Sequence, residues 1–262
     1  MLLGRLLAVA LLAVLPPSAA LGWEDDGHKI VADVAEALLT PAARSKVDRL
    51  LNGARMRGVA NYADDIRPFQ PQTARWHFVN VAPGERHYSR ERDCREIQGQ
   101  GDCVIAAINR ALDVLGNPGV PEEQRALELK YLIHFVADAH QPFHAVTEAR
   151  GGNDIRVSFF GTPSNLHRVW DLDMIKRTGI TPEDYAASLV AKWKRERDRD
   201  GTAAWGVSVD WAMTSREIGM RALVGNGADI DQSYIDTFLP VMNERLMLAG
   251  VRLAGVINQR FR

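Results

Sequence analysis

Residues 121–144 read PEEQRALELKYLIHFVADAHQPFH, and this stretch determines how the rest of the chain is interpreted. Apolar residues cover most of the circumference of a helix predicted to run from Pro121 to His140, yet the same helix carries His134 and Asp138. We therefore predict a buried helix with one polar stripe. Because burial of an unpartnered carboxylate is strongly unfavourable, this stripe needs a cation, a salt bridge or a metal ion.

The polar stripe has a counterpart further along the chain. His167 and Asp171 repeat the four-residue spacing of His134 and Asp138, so each pair projects from one face of a helix with its heads close together. One such pair is more often a hydrogen bond on a helix surface, whereas two pairs together favour a metal site. Just beyond the first pair, a proline is predicted to end the helix and to turn His144 toward the same region.

An N-terminal segment, residues 1–22, has the pattern of an export signal. Arg5 precedes an apolar stretch, Leu6 to Leu15, and small residues stand at the predicted cleavage point. The apolar stretch is shorter than the roughly 20 residues that cross a bilayer, so no membrane anchor is expected after processing. Cleavage would leave Trp23 as the mature N-terminus of a single domain, residues 23–262, in the periplasm or the medium.

Helix signals dominate that domain. Thr40-Pro41 and Thr181-Pro182 each place a capping hydroxyl before a proline suited to the first turn of a helix. Apolar residues recur at helical spacing elsewhere, and strand-like alternation is confined to residues 154–160. The predicted fold class is all-α, a compact multi-helix domain with at most a small β-hairpin.

The net charge of the chain gives no general attraction to a polyanion. The chain has 32 basic and 33 acidic side chains, so any phosphate binding must be local. The mixed run from Lys192 to Asp200 is predicted to be a solvated helix face. Cys94 and Cys103 are the only cysteines, and in an exported chain they are predicted to form a local disulfide.

Further donors for a metal lie upstream of the long helix. They are His28, Asp64 and His77, together with the amine of Trp23 once the signal is removed. Imidazole and carboxylate suit zinc, and a terminal amine with an ordinary pKa of about 8 can lose its proton to a metal.

Several motifs together resemble the S1/P1 nuclease family, and a bacterial member in particular because no Asn-x-Ser/Thr sequon occurs. The motifs are Trp23 to His28, Tyr62 to Asp64, Trp76-His77, His134 to His144, Gly151 to Asp154 and Asn165 to Asp171. The resemblance implies a helical fold of the kind shared by these nucleases and zinc-dependent phospholipase C, holding three zinc ions in a chain that is expected to be a monomer.

Ligand roles carried over from this resemblance divide into three sites. They are Asp64, His77, His134 and Asp138 for one zinc; the Trp23 amine and carbonyl, His28 and Asp138 for a second; and His144, His167 and Asp171 for the third. Asp138 would bridge the first two zincs, and water shared between them would attack phosphorus. His87 and His140 are interpreted as a loop residue and as a support for the ligands.

The implied reaction cuts single-stranded RNA or DNA, and nucleotide 3′-phosphates, to 5′-phosphate and 3′-hydroxyl products. Arg67 would bind the phosphate in a catalytic role beside Asp64 and Asp138, with a solvated arginine as the alternative. The base would be bound by Phe78, Asn80, Asn153 and Asp154. Three residues depart from the family pattern, namely Tyr62, Ala137 and Asn80, of which Asn80 replaces an expected aspartate.

Two other functions remain open from the sequence. Zinc-dependent phospholipase C shares the N-terminal tryptophan and much of the ligand order, but there a glutamate is expected where Asp171 stands, and Trp23 lies closer to His28 here. A structural zinc module without catalysis is the other alternative, although a carboxylate shared by close metals favours hydrolysis.

Overall fold

The computed structural model describes residues 23–196 and 207–262, so the predicted signal segment lies outside the described residues. Helices form most of this structure, and three short strands accompany them. The α-helices are α1 (Asp25–Ala37), α2 (Pro41–Leu50), α3 (Tyr62–Ile66), α4 (Arg90–Asp93), α5 (Val104–Gly116), α6 (Glu122–Asp138), α7 (Leu166–Arg168), α8 (Met174–Arg177), α9 (Pro182–Glu196), α10 (Ser208–Ala222) and α11 (Gln232–Arg260). Short 3₁₀ turns are Met56–Val59, Pro71–His77, Pro142–Ala145 and Glu148–Arg150, and Val169–Asp173 is a π-helical turn.

Both helix starts predicted from Thr-Pro dipeptides are confirmed. The Thr40 hydroxyl accepts a hydrogen bond from the backbone N–H of Ala43 at 3.2 Å, and the Thr181 hydroxyl accepts one from Asp184 at the same distance. Each hydroxyl satisfies a backbone donor that the first turn of a helix leaves without a partner.

The helix predicted around His134 is the buried centre of the fold. From Tyr131 to its end at Asp138 every residue of α6 is buried, and the helix contacts α1, α2, α3, α5 and α11. His134 and Asp138 are both 0 % exposed, as the polar stripe required. The helix ends at Asp138, four residues before Pro142 and slightly earlier than the sequence indicated.

Helix α11 packs very closely on α1. A Cβ atom placed on Gly250 would lie 2.4 Å from Cγ1 of Val34, so a larger residue at this position would force the helices apart. Glycine therefore allows the backbone of α11 to approach the helix that carries His28.

The strand-like segment forms one arm of a hairpin. Strand β1 (Arg156–Phe159) pairs antiparallel with β2 (Thr162–Asn165), with Val157 opposite Ser164. A third strand, β3 (Ala228–Ile230), joins β1 in parallel, which the local pattern did not predict. The sheet remains a small addition, so the all-α class is confirmed.

Two other expectations concern the periphery. Cys94 and Cys103 form the predicted disulfide. The charged run begins on α9, where Lys192 Nζ lies 2.6 Å from Glu196 Oε2 on an exposed face, and its remainder lies outside the described residues. Among the described helices, none combines the length and the apolar character needed to cross a membrane.

Candidate metal centre

The ligand candidates converge from distant parts of the chain on one buried region. Helix α1 supplies His28, α3 supplies Asp64 and α6 supplies the His134 and Asp138 pair. The remaining candidates come from shorter elements, namely His77 at the end of a 3₁₀ turn, His144 in another, His167 in α7 and Asp171 in the π-helical turn.

The first group surrounds a common centre. His77 Nδ1 lies 3.1 Å from His134 Nε2 and 3.1 Å from Asp138 Oδ2, and the last two atoms are 3.2 Å apart. Asp64 completes the group, 3.4 Å from His77 Nδ1 and 3.7 Å from His134 Nε2. Zinc–ligand bonds of 2.0–2.1 Å place tetrahedral ligand atoms about 3.3 Å apart, so this spacing fits zinc.

A second group lies against the first. His28 Nε2 is 3.3 Å from Asp138 Oδ1, and the His28 ring stacks on His134 with centroids 3.9 Å apart. The buried Trp23 indole donates to the carbonyl of Ala137 at 3.0 Å. Trp23 is thereby fixed beside the residue that precedes Asp138. The backbone geometry brings the predicted N-terminus and His28 to the same end of α6.

A third group continues on the other side of Asp138. Ligand atoms of His144, His167 and Asp171 lie within 4.8 Å of one another, and His167 Nε2 is 3.1 Å from Asp171 Oδ2. His144 Nδ1 is 3.3 Å from Asp138 Oδ1. Asp138 therefore touches histidines of all three groups.

Backbone carbonyls orient several of these histidines. A carbonyl can only accept, so the ring nitrogen facing it must carry the proton, which leaves the opposite nitrogen as a lone pair for a metal. The three contacts are His134 Nδ1 to Ala60 O at 2.8 Å, His144 Nδ1 to His77 O at 2.6 Å and His167 Nδ1 to Gly151 O at 2.6 Å.

Unsatisfied atoms provide a further test of the fit. Within the described residues, the buried atoms His167 Nε2 and Asp64 Oδ1 form no well-aligned hydrogen bond, although Asp171 Oδ2 and His77 Nδ1 lie 3.1 and 3.4 Å from them. Buried polar atoms normally have one, and a cation bound by these atoms would satisfy them. The donor set, neutral imidazole with carboxylate, is the one that zinc prefers.

In the absence of a metal, the protonation of the first group differs from residue to residue. Burial lowers the pKa of His77 to about 4, so this ring is neutral at physiological pH. Burial also opposes protonation of His134, but Asp138 and Asp64 outweigh it and raise the pKa of His134 to about 9, so a metal bound at Nε2 would have to displace a proton. For Asp138, burial acts against the anion, but His134 and His144 hold its pKa well below the usual range. The bridging candidate is therefore a carboxylate.

An open cleft of about 390 Å³ borders this centre. His77, His144 and His167 form part of its wall, and four other predicted site residues line it as well, namely Arg67, Phe78, Asn80 and Asn153. Phe78 is half-buried and Asn80 is exposed. Asp154 is not among the residues that line this cleft, and its Oδ1 atom lies 3.5 Å from Arg150 Nη1.

His140 is buried between the ligand helix and its neighbours. Its Nδ1 lies 2.7 Å from Val136 O, its Nε2 lies 2.9 Å from Arg252 Nη1, and its ring packs on Trp211. The first contact is to α6, between the ligand candidates His134 and Asp138, and the other two are to α11 and α10, so the ring links the ligand helix to its neighbours. His87 is exposed in a loop, as predicted.

Gln141 is a contributor that the sequence reasoning missed. Its buried side chain donates through Nε2 to Asp171 Oδ1 and accepts from the backbone N–H of Phe143 through Oε1. It therefore ties the third group to the segment that carries His144. Glutamine is not a usual zinc ligand, so only its position between two ligand motifs could have drawn attention to it.

The change Gln141→Leu is expected to weaken zinc binding at the third group about 10- to 100-fold, because Asp171 loses the donor that orients it. Titration against a chromogenic chelator should show weaker binding at this group and unchanged binding elsewhere. Gln70→Leu is a matched control, since Gln70 bonds Tyr131 instead. Unchanged zinc affinity throughout the Gln141 variant would contradict this role.

Comparisons with known proteins agree with the geometry. The S1/P1 nuclease family profile matches residues 23–262. Nuclease P1 of Penicillium citrinum is 26 % identical over 268 residues, covering 90 % of this chain and 97 % of that protein. Nuclease S1 of Aspergillus oryzae is 26 % identical over 284 residues, with 96 % of each covered. Endonuclease 2 of Arabidopsis thaliana is 27 % identical over 274 residues, covering 92 % and 91 %. The resemblance seen in the motifs is thereby confirmed, and the chain belongs to the S1/P1 nuclease family.

Proposed function

We propose that this chain is a zinc-dependent nuclease that hydrolyses single-stranded RNA and DNA, and the 3′-phosphomonoesters of nucleotides. Its products would carry a 5′-phosphate and a 3′-hydroxyl. One observation carries the proposal: three His/Asp groups meet at the buried carboxylate of Asp138, and their edge opens on a cleft lined by aromatic, amide and guanidinium groups.

Three zinc ions per chain are proposed. Following the family resemblance, their ligands would be Asp64, His77, His134 and Asp138 for the first; the Trp23 amine and carbonyl, His28 and Asp138 for the second; and His144, His167 and Asp171 for the third. Zinc bound in this way lowers the pKa of water toward neutrality and neutralises charge on a phosphoryl group. The protein contributes fixed ligand positions through the carbonyl contacts of its histidines.

The cleft residues would hold the substrate. Arg67 would donate to phosphate oxygens, and catalysis would also depend on Asp64 and Asp138 as ligands. The Phe78 ring offers a stacking face, while the amides of Asn80 and Asn153 can both donate to and accept from a base edge. Base pairing hides that edge, which is the reason to expect single strands. Asp154 does not line the cleft, but it is still proposed to bind the base, from the loop to which it belongs.

Measurements on purified protein that begins at Trp23 would test this function. We expect about three zincs per chain, cleavage of a single-stranded oligonucleotide in preference to its duplex, loss of activity with a chelator and recovery with zinc. Hydrolysis of a choline phospholipid with no action on nucleic acid would instead establish the phospholipase alternative. Full zinc without hydrolysis of either substrate would establish a structural metal module.

Export is proposed together with this activity. The family profile begins to match at Trp23, the residue that cleavage of the predicted signal would make N-terminal. We propose a processed monomer in the periplasm or the medium. Mass spectrometry of the exported protein and its sedimentation would measure both properties.

A further inference from the structure

A run of left-handed backbone lies at the rim of the cleft. Ala149, Arg150, Gly151 and Gly152 have φ values of 47°, 52°, 64° and 79°. Glycine adopts such angles freely, but alanine and arginine do so at a cost. Residues other than glycine keep left-handed backbone angles only where the surrounding structure imposes them, and such residues concentrate at functional sites.

Contacts on both sides of this turn explain why it persists. The Gly151 carbonyl accepts from His167 Nδ1 at 2.6 Å, which ties the turn to the third ligand group. A Cβ atom on Gly151 would lie 2.7 Å from the carbonyl oxygen of Phe143, so the backbone fits tightly there. Just before the turn, Glu148 lies 3.4 Å from the buried Arg216. The turn is therefore anchored at both ends.

This anchoring directs the Arg150 side chain to the edge of the cleft. Arg150 lines the same cleft as His144 and His167, and its side chain is 66 % exposed. Its carboxylate neighbour, Asp154, lies 3.5 Å away and is also well exposed. Exposed ion pairs of this kind contribute little free energy, so a phosphate can replace Asp154 as the partner of the guanidinium.

The two arginines of the cleft follow different ligand groups. Arg67 comes three residues after Asp64 of the first group, whereas Arg150 directly precedes the residue that orients His167 of the third group. We propose that Arg150 binds the phosphate of a nucleotide next to the one being cut, and so favours longer strands over dinucleotides. This inference rests on the proposed nuclease function. It gives a local cation to a chain whose net charge is −1.

Comparing a dinucleotide with a hexanucleotide tests the assignment, because the dinucleotide contains only the phosphodiester that is cut. In Arg150→Gln we expect KM for the hexanucleotide to rise about five- to tenfold, with kcat and all dinucleotide constants unchanged. The dependence of log KM on log salt concentration should become shallower by about 0.7, the value for one lost contact on a single strand. Arg150→Lys should retain the steeper dependence.

Arg49→Gln is the matched control. Arg49 forms a similarly exposed ion pair, 3.9 Å from Glu122, and lines a different pocket. An unchanged salt dependence in Arg150→Gln would overturn the inference, as would equal losses on both substrates. If the unaltered protein cleaves neither oligonucleotide, the proposed function itself fails, which is a distinguishable result.

Discussion

Replacing Asp138 by asparagine is expected to lower kcat/KM on single-stranded oligonucleotides by at least about a thousandfold and to reduce the zinc content of the folded protein. Asp138 Oδ1 lies 3.3 Å from nitrogens of His28 and His144, and Oδ2 lies 3.1 Å from His77 Nδ1. An amide keeps the shape of the side chain but removes its negative charge and half of its acceptor capacity. The proposed bridge between metals cannot form without that charge.

Elemental analysis for zinc and steady-state kinetics would measure both effects. Asp93→Asn is a suitable control, because Asp93 is also buried but bonds Arg92 and the backbone N–H groups of Ser89 and Ala82. That variant should unfold at a lower temperature while keeping its zinc and its kcat/KM. An Asp138→Asn protein with full zinc content and ordinary turnover would remove the basis of the proposed site.

The second large effect is expected at the N-terminus. A protein carrying two extra residues before Trp23 should bind about one zinc fewer and lose activity about a hundredfold or more. Extension converts the Trp23 amine to an amide, whose nitrogen lone pair is delocalised into the carbonyl group. Trp23 is also 0 % exposed, with its indole bonded to Ala137, so the added residues have to start from a buried position.

The same two residues added after Arg262 provide the control, since the last helix ends at Arg260. Zinc per chain and oligonucleotide hydrolysis should match the unaltered protein in that variant. Equal zinc and activity in both extended forms would show that the amine is not a ligand, and would leave the second group with side-chain donors alone.

Local patterns in the sequence were sufficient for the helical class and for the central pairs. Two pairs could be recognised because residues four apart lie on the same face of a helix, namely His134 with Asp138 and His167 with Asp171. The helix caps at Thr40 and Thr181 could likewise be predicted from neighbouring residues alone. The chemistry of the side chains identified the upstream candidates, and family resemblance supplied their grouping. The structure places His28 and His77 against Asp138, and Asp64 beside His77.

Features that depend on distant parts of the chain could not be predicted in this way. Strand β3 lies about 70 residues from its partner β1, and its three residues show no alternation long enough to identify. The left-handed angles of Ala149 and Arg150 oppose the preferences of both residues, so only tertiary contacts explain them. His140 lies in a histidine-rich motif, yet its ring contacts Arg252 on the last helix.

The distances along the chain between the ligand candidates have a consequence for resistance to proteolysis. His28 and Asp138 are 110 residues apart, and His77 and Asp138 are 61 apart, whereas the disulfide joins cysteines separated by only nine. Cross-links that close longer loops restrict an unfolded chain more strongly. Zinc held by these residues would therefore cross-link distant parts of the chain. Withdrawal of zinc would expose the whole fold to proteases, and it would end catalysis at the same time.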